Sequence, residues 1–418
     1  MRILMLTSFL PPTIGGVERH AWTLARALAT RGHEVTLLGF ATGTQEPGES
    51  QVDGVRIVRV RTGASYLPFL YSDPDRPHPL PLADPLVHRA IRHELSCHHF
   101  DVIHAHNWIV NSALTPAASA RVPLVMTLHD YSHRCVTARM MEHDRRPCPG
   151  PSTARCMACG SAHFGPVLGP VTVLANAWSA RQRSRRVVGA AAVSGAVAGV
   201  VNVDGERGLF GNVGLSAQVI PNFIPDEIIC EDIPLPGHDA PLLFVGDLVP
   251  DKGIDVLLSA YGLLDSAPPL VLAGRSKTEM TGKLPPGVTM LGALPHEQVL
   301  PLYASARAVI VPSVWSDPCP TVVLEAMAAG RPVVAAASGG ILDMVVDGVT
   351  GVLVPPGDVA ELARAIAFVS GDARTARSFG LAGRDRVRRF AVSAVVAQIE
   401  RMYISAIDAY SRELDHAG

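Results

Sequence analysis

The first forty residues decide the fold, and the segment Arg2–Phe40 has the sequence RILMLTSFLPPTIGGVERHAWTLARALATRGHEVTLLGF. Arg2–Thr7 is a short, continuous apolar run, which is typical of a strand covered on both faces. A loop with two prolines and two glycines follows, and the pattern then predicts a helix over Val17–Ala29 and a strand over His33–Phe40. A strand, a helix and a second strand in this order form one βαβ unit of a parallel sheet.

The alternation of strands and helices continues along the chain and restarts once. In the first half, the predicted strands are Val55–Val60, Val102–Ala105, Val122–Leu128, Ala190–Val193 and Val219–Ile220. In the second half, they are Leu242–Val245, Leu270–Ala273, Val288–Leu291, Val309–Val311 and Val333–Ala336. The sequence therefore predicts an α/β protein with two doubly wound, Rossmann-like domains. Ligands of such sheets bind at the carboxyl ends of the strands, so we expect a ligand in a cleft between the two domains.

Shifts in composition indicate the domain boundaries. Residues 223–240 are rich in proline and acids and have no clear periodicity, which predicts a linker. We therefore expect an N-terminal domain at 1–222, with a cysteine-rich insertion at about 132–170, and a C-terminal domain at 241–391. Residues 392–418 have a long helical pattern, and we expect this helix to pack back on the N-terminal domain.

The composition excludes several classes of protein. At about 150 residues per domain the 418 residues make two to three domains, and 48% apolar with 18% charged residues excludes disorder. The net charge of −2 argues against a nucleic-acid-binding protein and provides no polybasic anchor for a membrane surface. Seven cysteines cannot all pair within one chain, and no targeting segment is recognisable, so a reduced, cytoplasmic setting is expected.

Two loops contain residues that suit a phosphate group. Gly15 and Gly16 lie between the first strand and the first helix, where backbone N–H groups can approach an anion closely. They do not form the GxGxxG pattern of dinucleotide-binding proteins, which argues against a dehydrogenase. Lys252, one of three lysines in the chain, follows a predicted strand within FVGDLVPDKG, residues 244–253. Lys252 is a candidate for contact with a phosphate, and a solvated surface lysine is an equal alternative.

Two carboxylates lie eight positions apart in the segment Pro312–Gly330. Asp317 is expected just before a helix, and Glu325 just over a turn inside it. Because carboxylates accept hydrogen bonds from hydroxyl groups, this arrangement permits one contact to a sugar hydroxyl and another to a ribose. The alternative is that Asp317 only caps the helix.

The segment Pro312–Gly330 resembles the E-x7-E region of the retaining glycosyltransferases of family 4, which have the GT-B fold. Other segments that resemble the family are Gly15–Gly16, His104–His106, Thr127–Asp130, Val219–Asn222, Pro332–Ala335, Ser338–Gly340 and Asp347–Asp358. The resemblance covers most of the chain and is weakest over 40–100 and 132–190. It implies a retaining enzyme with metal-independent catalysis. Its donor domain is the C-terminal one, its acceptor domain the N-terminal one, and its expected donor a UDP- or GDP-sugar.

The resemblance also implies roles for individual residues. It places His129 beside the donor sugar, Lys252 on the diphosphate and Asp317 on the transferred sugar, so these three are the expected catalytic residues. It places Glu325 on the nucleotide ribose. The expected donor-binding residues are Gly15, Gly16, Asn222, Lys252, Arg275, Leu294, Asp317, Cys319, Pro320, Thr321, Val322 and Glu325. The leaving phosphate can itself accept the proton of the acceptor, so neither a catalytic metal nor a protein general base is expected.

Two residues depart from the family pattern. Asp247 stands where the family usually has an arginine, which binds the diphosphate together with the lysine. Either Asp247 points away, or Arg275 supplies the lost positive charge from the end of the next strand. Asp317 replaces the usual first glutamate and keeps its charge on a shorter side chain. The departure at Asp247 motivates an alternative function, which is an inactive GT-B partner or a nucleotide-sugar-binding subunit.

Four cysteines have the spacing of a candidate metal site, C-x12-C-x7-C-x2-C. The four are Cys135, Cys148, Cys156 and Cys159. The C-x2-C pair is typical of half of a zinc site, and four protein ligands would make the zinc structural rather than catalytic. Alternative ligands nearby are His133, His143 and His163. Free thiols or a redox pair remain the other interpretation.

The remaining motifs are interpreted as surface features. Asp73-Pro74-Asp75 forms a D-x-D, the metal signature of another glycosyltransferase fold, but its proline-rich surroundings favour an ordinary loop. A basic patch, which we interpret as a solvated helix face, comprises Arg181, Arg183, Arg185 and Arg186. The low lysine count and the lack of an amphipathic basic helix favour a soluble small-molecule acceptor over a membrane lipid. We expect a monomer or homodimer with neither nucleic acid nor a membrane among its partners.

Overall fold

The computed structural model describes residues 1–10, 15–42, 45–66, 80–143, 146–203, 209–231, 237, 239–276 and 284–417. These residues divide into two compact units. Unit 1 comprises Met1–Pro221 with Val395–Gly418, and unit 2 comprises Asn222–Ala394. The Asp73-Pro74-Asp75 motif lies outside the described residues, as do 232–236 and 238 of the expected linker.

A largely parallel sheet forms the centre of unit 1. The strands of the unit are β1 Arg2–Leu6, β2 Glu34–Phe40, β3 Gly48–Val52, β4 Val55–Val60, β5 Val102–His106, β6 Leu124–Leu128, β7 Met141–Glu142, β8 Arg146–Pro147, β9 Gly189–Ala192 and β10 Ala217–Val219. Within the described residues the sheet order is β10-β9-β6-β5-β1-β2-β4-β3, in which only β3 runs antiparallel to its neighbour. The short strands β7 and β8 form a separate hairpin. The strand order reverses between β1 and β5, so the carboxyl ends of these strands flank the position where such sheets bind ligands.

The predicted first βαβ unit is confirmed. β1 pairs in parallel with β2, from Arg2 opposite Glu34 to Leu6 opposite Leu38. Ile3–Leu6 are fully buried, which explains why the strand has an uninterrupted apolar sequence. The connecting helix α1 comprises Gly16–Thr30 and buries its apolar side on the sheet.

Three of the five α-helices described between β4 and β10 of unit 1 begin at a side-chain cap. The five are α2 Pro85–Cys97, α3 Val110–Ala120, α4 Thr153–Phe164, α5 Leu168–Arg186 and α6 Gly195–Val201. Asp84 caps α2, Ser152 caps α4 and Ser194 caps α6, each by accepting a hydrogen bond from a backbone N–H of the first turn. Such a cap satisfies a backbone donor that has no partner inside the helix.

Unit 2 has a six-stranded parallel sheet in its described part. The strands are β11 Leu242–Val245, β12 Leu270–Ala273, β13 Val288–Gly292, β14 Ala308–Val311, β15 Val333–Ala336 and β16 Gly351–Val354, in the order β13-β12-β11-β14-β15-β16. The helices are α7 Ile254–Tyr261, α8 His296–Ser305, α9 Thr321–Ala328, α10 Ile341–Met344, α11 Val359–Gly371 and α12 Ala373–Val387. The order reverses between β11 and β14, so the loops that follow these two strands flank the switch point of the sheet.

The last helix, α13 at Val392–Ala417, packs on unit 1 over most of its length. Tyr403 Oη lies 2.7 Å from His104 Nδ1 in the core of the unit. Glu400 accepts a hydrogen bond from Arg31 Nε at 2.7 Å and lies 2.9 Å from His33 Nε2. The hydrogen bond from Arg31 is the main reason that the pKa of Glu400 is lowered to about 2. Within the described ranges, no helix combines the length and the apolar character that crossing a bilayer requires.

We predict that Glu400→Gln destabilises unit 1 at neutral pH. The pKa of Glu400 is about 2 in the folded state and about 4.3 in an unfolded chain. Its contribution to stability is therefore complete above the unfolded pKa and is lost as the pH falls through the folded pKa. Because Arg31 is largely exposed, we expect a decrease in melting temperature of only about 2 to 4 °C at pH 7. Thermal unfolding checks this, and the difference from the wild type should shrink at pH 3.

Candidate functional site

Two loops meet at the switch point of the sheet in unit 2. One follows β11 and carries Lys252, and the other follows β14 and carries Asp317. The N–H of Val314 donates to the carbonyl of Asp251 at 3.0 Å, which holds the loops together. Gly253 has φ +74°, and a Cβ there would lie 2.0 Å from the carbonyl oxygen of Pro312. Only glycine permits this close approach, so the glycine after the lysine fixes the distance between the loops.

Lys252 and Asp317 form an ion pair. Lys252 Nζ lies 2.5 Å from Asp317 Oδ2, and the side chains are 31% and 7% exposed. Oδ1 of Asp317 accepts no hydrogen bond from the described residues. Gly339 has φ +55°, a Cβ there would lie 2.1 Å from the Asp317 carbonyl oxygen, and the N–H of Gly340 donates to that oxygen. The backbone of Asp317 is therefore fixed, while its side chain has one oxygen available.

Trp315 adds a donor that the sequence did not indicate. Lys252 Nζ lies 5.3 Å from the centre of the Trp315 ring, within the range of a cation–π contact. The Trp315 Nε1–H is buried and has no hydrogen-bond partner among the described residues. A buried donor beside a half-exposed ammonium group suits an anionic ligand.

The N-terminus of α9 is an anion-binding feature next to this pair. The helix begins at Thr321, after Pro320, and no described side chain caps it. The N–H groups of Thr321 and Val322 belong to the first turn, where a helix supplies no internal partner and its dipole favours negative charge. Because Asp317 lies before this start and makes no capping bond, the interpretation of Asp317 as a helix cap is wrong.

The loop before α9 is held by Asn222. Asn222 Nδ2 donates to the carbonyl oxygen of Cys319 at 2.9 Å, and Asn222 Oδ1 is buried without a hydrogen-bond partner among the described residues. Burial raises the pKa of Cys319 to about 12, so this thiol stays neutral and adds no negative charge near the helix. Cys319 and Pro320 therefore position the backbone at the start of α9 rather than supply a charged group.

Glu325 lies on the buried side of α9 and contacts α8. Tyr303 Oη donates to Glu325 Oε2 at 2.7 Å, and His296 Nε2 lies 2.9 Å from Glu325 Oε1. Neither partner could be recognised in the sequence, because His296 and Tyr303 belong to no motif and lie on a separate helix. These two contacts fix the orientation of the Glu325 carboxylate, and a carboxylate oxygen can accept more than one hydrogen bond. Leu294 lies half-buried two residues before α8.

Asp247 neutralises Arg275. Arg275 Nε and Nη2 donate to the two carboxylate oxygens of Asp247 at 3.1 and 3.2 Å. The sequence left two possibilities, a carboxylate that points away or an arginine that supplies the missing charge. The structure shows a third arrangement. Arg275 and Asp247 compensate each other's charge in a half-exposed, bidentate ion pair.

We predict that Asp247→Asn increases the affinity of unit 2 for a nucleoside diphosphate. The amide removes the charge that offsets the Arg275 guanidinium but has nearly the same shape. Because the pair is half-exposed and screened, we expect a modest effect, a Kd for UDP or GDP about 2- to 5-fold lower. Calorimetric titration checks this. The matched control is Asp385→Asn, which breaks an exposed Arg–Asp contact on α12 and should leave the Kd unchanged.

In unit 1, Gly15 and Gly16 lie at the start of α1. The Gly15 N–H donates to Glu18 Oε2 at 3.0 Å, so the Glu18 side chain caps the helix and occupies this N–H group. Gly16 is the first residue of the helix, and a Cβ there would meet nothing within 4 Å. Residues 11–14, which precede these glycines, lie outside the described part of the chain.

His129 follows β6 and belongs to a cluster of buried imidazoles. His129 Nε2 lies 2.9 Å from His106 Nδ1, and the His129 N–H donates to Asn107 Oδ1 at 3.1 Å. The ring of His20 lies 4.6 Å from that of His129. Burial first, and then the neighbouring imidazoles, hold the pKa of His106 well below its usual 6.5, so His106 is neutral at pH 7. The sequence showed the two histidines as separate motifs and did not reveal their contact.

One set of ligand atoms in the described residues has the mutual separation of a metal site. Single nitrogens of His20, His106 and His129 lie within 4.8 Å of one another. Neutral imidazoles bind zinc, copper and nickel, so this group could hold such an ion. In the structure the contact between His106 and His129 is instead a hydrogen bond.

The four cysteines of the candidate zinc site are free thiols in one segment of unit 1. Burial first, and the nearby Cys135, Cys148 and Cys159 thiols as well, raise the pKa of Cys156 to about 11. The four sulfur atoms are thus within electrostatic reach of one another. No three of them lie within 4.8 Å of one another, and the zinc site stays a prediction.

Helix α5 differs from the expected solvated basic face. Arg183 is fully buried and donates to Asn111, Asn176 and His133. Burial lowers the pKa of Arg183 to about 9. The interpretation of Arg183 as part of a surface patch is therefore wrong. Exposed apolar side chains lie instead at the residue before this helix and along its first eleven residues. They are Val167, Leu168, Val171, Leu174 and Trp178.

Two family models match the chain. The model described as Glycosyltransferase Family 4 matches residues 14–203, and the model described as Glycosyl transferases group 1 matches residues 240–372. The first match contains His129, and the second contains Lys252, Asp317 and Glu325. Each unit thus carries its own match.

Two named relatives match this chain over almost its full length. D-inositol 3-phosphate glycosyltransferase of Xylanimonas cellulosilytica is 30% identical over 421 residues, which are 94% of this chain and 92% of the relative. Glycogen synthase of Mycobacterium tuberculosis is 27% identical over 433 residues, 97% of this chain and 95% of the relative.

Solved structures share the fold. Sucrose-phosphate synthase of Thermosynechococcus elongatus has a TM-score of 0.70 at 22% identity and covers all of both chains. Anabaena HepE in complex with UDP-glucose has a TM-score of 0.65 at 19% identity, covering 97% of this chain and 100% of HepE. Together with the family models and the relative at 30% identity, these matches show that the chain belongs to glycosyltransferase family 4 and has the GT-B fold.

Proposed function

We propose that this glycosyltransferase takes its sugar from a nucleotide-diphosphate sugar and transfers it with retention of configuration. The observation that carries the proposal is the Lys252–Asp317 pair beside the uncapped N-terminus of α9. An ammonium group and free helix N–H groups suit a diphosphate, and a carboxylate suits the hydroxyls of a sugar. A nucleotide-diphosphate sugar contains both groups next to each other.

The diphosphate is the group on which charge develops during transfer. When the bond between the sugar and the diphosphate breaks, both bonding electrons go to the leaving phosphate oxygen. Lys252 and the N–H groups of Thr321 and Val322 stabilise that charge, with the Trp315 Nε1–H as a further donor. These donors are fixed by the two loops before the reaction begins. We propose that they provide the stabilisation that a catalytic metal supplies in other enzymes.

The sugar is held by Asp317, whose Oδ2 is engaged by Lys252 and whose Oδ1 remains available. A sugar hydroxyl that donates to Oδ1 is thereby fixed relative to the ammonium group on the diphosphate. Asn222 Oδ1, which is buried without a partner among the described residues, is a further acceptor at the loop before α9.

The nucleotide is held by Glu325, which we propose accepts hydrogen bonds from the ribose hydroxyls. His296 and Tyr303 fix the orientation of its carboxylate. Leu294, in the loop before α8, flanks the base in this proposal. The complex of HepE with UDP-glucose supports a uridine diphosphate sugar as the first donor to test.

Retention requires the acceptor to attack from the face that the diphosphate leaves. We propose that the leaving phosphate oxygen accepts the acceptor proton, so that no protein base is needed. For His129, a role at the sugar is proposed from the family resemblance alone, and within unit 1 the contact with His106 fixes the orientation of its ring.

We propose that the acceptor is a soluble small molecule that carries a hydroxyl or another nucleophile. The low lysine count and the lack of an amphipathic basic helix in the sequence favour such an acceptor over a membrane lipid. Helix α5 and Val167 before it expose five apolar side chains, but apolar and polar residues are mixed around this helix rather than separated into two faces.

The experiment that tests the proposal is proton NMR of slow donor hydrolysis without acceptor. UDP-glucose carries an α-linked sugar, so a retaining enzyme releases α-glucose first, before it equilibrates with the β form. Release of β-glucose first would overturn retention. Binding of UDP-glucose without any hydrolysis or transfer would favour the alternative of a nucleotide-sugar-binding subunit. Lys252→Ala, run in parallel, should abolish the release and so excludes a contaminating hydrolase.

A further inference from the structure

The segment between β6 and α5 contains four of the seven cysteines, and the proposed sugar transfer uses none of them. It begins directly after His129 and Asp130 and ends in α4. It is also part of the region in which the family resemblance is weakest. Its residues therefore need an explanation of their own.

Local hydrogen bonds place each cysteine. The Cys135 N–H donates to the Tyr131 carbonyl at 2.9 Å, in the turn that follows β6. The Cys148 N–H donates to the Met140 carbonyl at 2.8 Å, which closes the β7–β8 hairpin. Cys156 and Cys159 lie three positions apart in α4, so both thiols point from the same face of the helix.

The loop and the helix bring these cysteines to one region. Cys135 Sγ lies 3.3 Å from Thr137 Oγ1. Thr137 and Cys159 line the same cavity, which has a volume of about 210 Å³ and is also lined by Met141 of β7. Cys156 packs on the apolar cluster that contains Val136, the neighbour of Cys135. The turn, the hairpin and the helix thus surround a common space.

The backbone of this segment is unfavourable without an additional constraint. The hairpin strands have two residues each, and Ala138, Met140 and His143 have φ values of +60°, +53° and +51°. Residues with a Cβ disfavour this left-handed region, and three of them within six positions are held only if the surroundings fix them. A metal ion or a disulfide is one way to fix a strained segment of this kind.

We propose that Cys135, Cys148, Cys156 and Cys159 bind one structural Zn²⁺ ion in a tetrahedral site of four thiolates. The C-x2-C pair in the helix supplies two ligands, and the turn and the hairpin supply one each. Binding replaces four thiol protons, which pass to solvent, and forms four Zn–S bonds without any change of oxidation state. Zn–S bonds of about 2.3 Å place the sulfurs about 3.8 Å apart, so the ion draws the loop and the helix together.

Zinc at this position would fix the chain that leaves His129. The Ser132 N–H donates to Asp130 Oδ1 at 2.8 Å, and Trp108 Nε1 donates to the Ser132 carbonyl at 3.1 Å. Three residues later Cys135 anchors the same chain to the metal. An effect of zinc on sugar transfer rests on the proposed function, but zinc binding itself does not. The metal content and the transferase activity can therefore be tested separately, and either proposal can fail without the other.

Metal analysis of the purified full chain tests the proposal. We expect about one zinc per chain by inductively coupled plasma mass spectrometry, and sulfur-only coordination at about 2.3 Å by X-ray absorption. After exchange for Co²⁺, the protein should show an intense thiolate-to-cobalt band and the visible bands of a tetrahedral site. The double variant Cys156→Ser with Cys159→Ser should lose the zinc. The matched controls Cys97→Ser and Cys230→Ser, which lie outside the segment, should keep it.

Three results would overturn the proposal. The first is a wild-type protein without bound metal even after incubation with Zn²⁺. The second is a thiol titration of the denatured protein that shows a disulfide among the four cysteines. The third is zinc that the double variant keeps and His106→Gln loses, because that result would place the ion on the histidine cluster. If the double variant does not fold, the absorption and cobalt spectra of the wild type still decide between these outcomes.

Discussion

Lys252→Ala is expected to lower kcat about 10²- to 10³-fold, with a smaller change in KM for the donor. Lys252 Nζ is the ammonium group next to the uncapped N-terminus of α9, where we propose that the leaving diphosphate lies. The negative charge on the leaving oxygen is larger in the transition state than in the bound donor. Removal of the Lys252 ammonium group therefore affects kcat more than KM. Steady-state kinetics with a saturating acceptor, or single-turnover donor hydrolysis, measures the effect.

Two variants make this measurement specific. Lys252→Arg keeps a positive charge and should retain part of the activity. Arg364→Ala removes an exposed cation from the surface of α11 and should change neither parameter. An unchanged kcat in Lys252→Ala, with the fold intact by circular dichroism, would contradict the role of this lysine.

Asp317→Asn is expected to lower kcat/KM by about 10- to 150-fold. The amide keeps the shape of the side chain but loses the charge that pairs with Lys252 and strengthens a bond from a sugar hydroxyl. A hydrogen bond to a charged group contributes about 1.5 to 3 kcal/mol, which corresponds to this range. Asp317→Glu restores the charge and the residue that the family usually has, so we expect activity within about 10-fold of the wild type. Equal activity in Asp317→Asn and the wild type would contradict a sugar contact at this carboxylate.

The strands with apolar sequences could be predicted from the sequence, and the polar edge strand β3 could not. β11 and, from Ile3 onward, β1 have continuous apolar sequences, because both faces of a parallel sheet are covered. β3 has the polar sequence GESQV and is largely exposed, so no hydrophobic pattern marks it. It forms because it pairs with β4 at the edge of the sheet, which is a tertiary contact rather than a local preference.

The site could be predicted where residues lie in one motif, and not where they come from separate elements. Lys252, Asp317 and Glu325 belong to two recognisable segments. Their partners do not, because Tyr303 and His296 meet Glu325 only through the packing of α8 on α9. Likewise, the contact between His106 and His129 depends on β5 and β6 being neighbours in the sheet.

Arg183 shows the limit of interpreting charge runs without a structure. Its neighbours Arg185 and Arg186 are exposed, as the sequence suggested. Arg183 turns to the opposite side of α5, where two asparagines and a histidine satisfy its donors. Those acceptors are tens of residues away or on the buried face of the same helix, so the sequence gives no sign of them.

The most direct test of the account is a thermal-shift panel of UDP-, GDP-, ADP- and dTDP-sugars on the wild type and Lys252→Ala. A ligand that binds the folded state raises the melting temperature by an amount that grows with the ratio of its concentration to its Kd. We expect a clear shift with one of these nucleotide sugars in the wild type and a measurably smaller shift in Lys252→Ala, because Lys252 contacts the diphosphate of the bound donor as well as the leaving group. No shift with any of the four, or an equal shift in both proteins, would contradict a donor site built around Lys252 and Asp317.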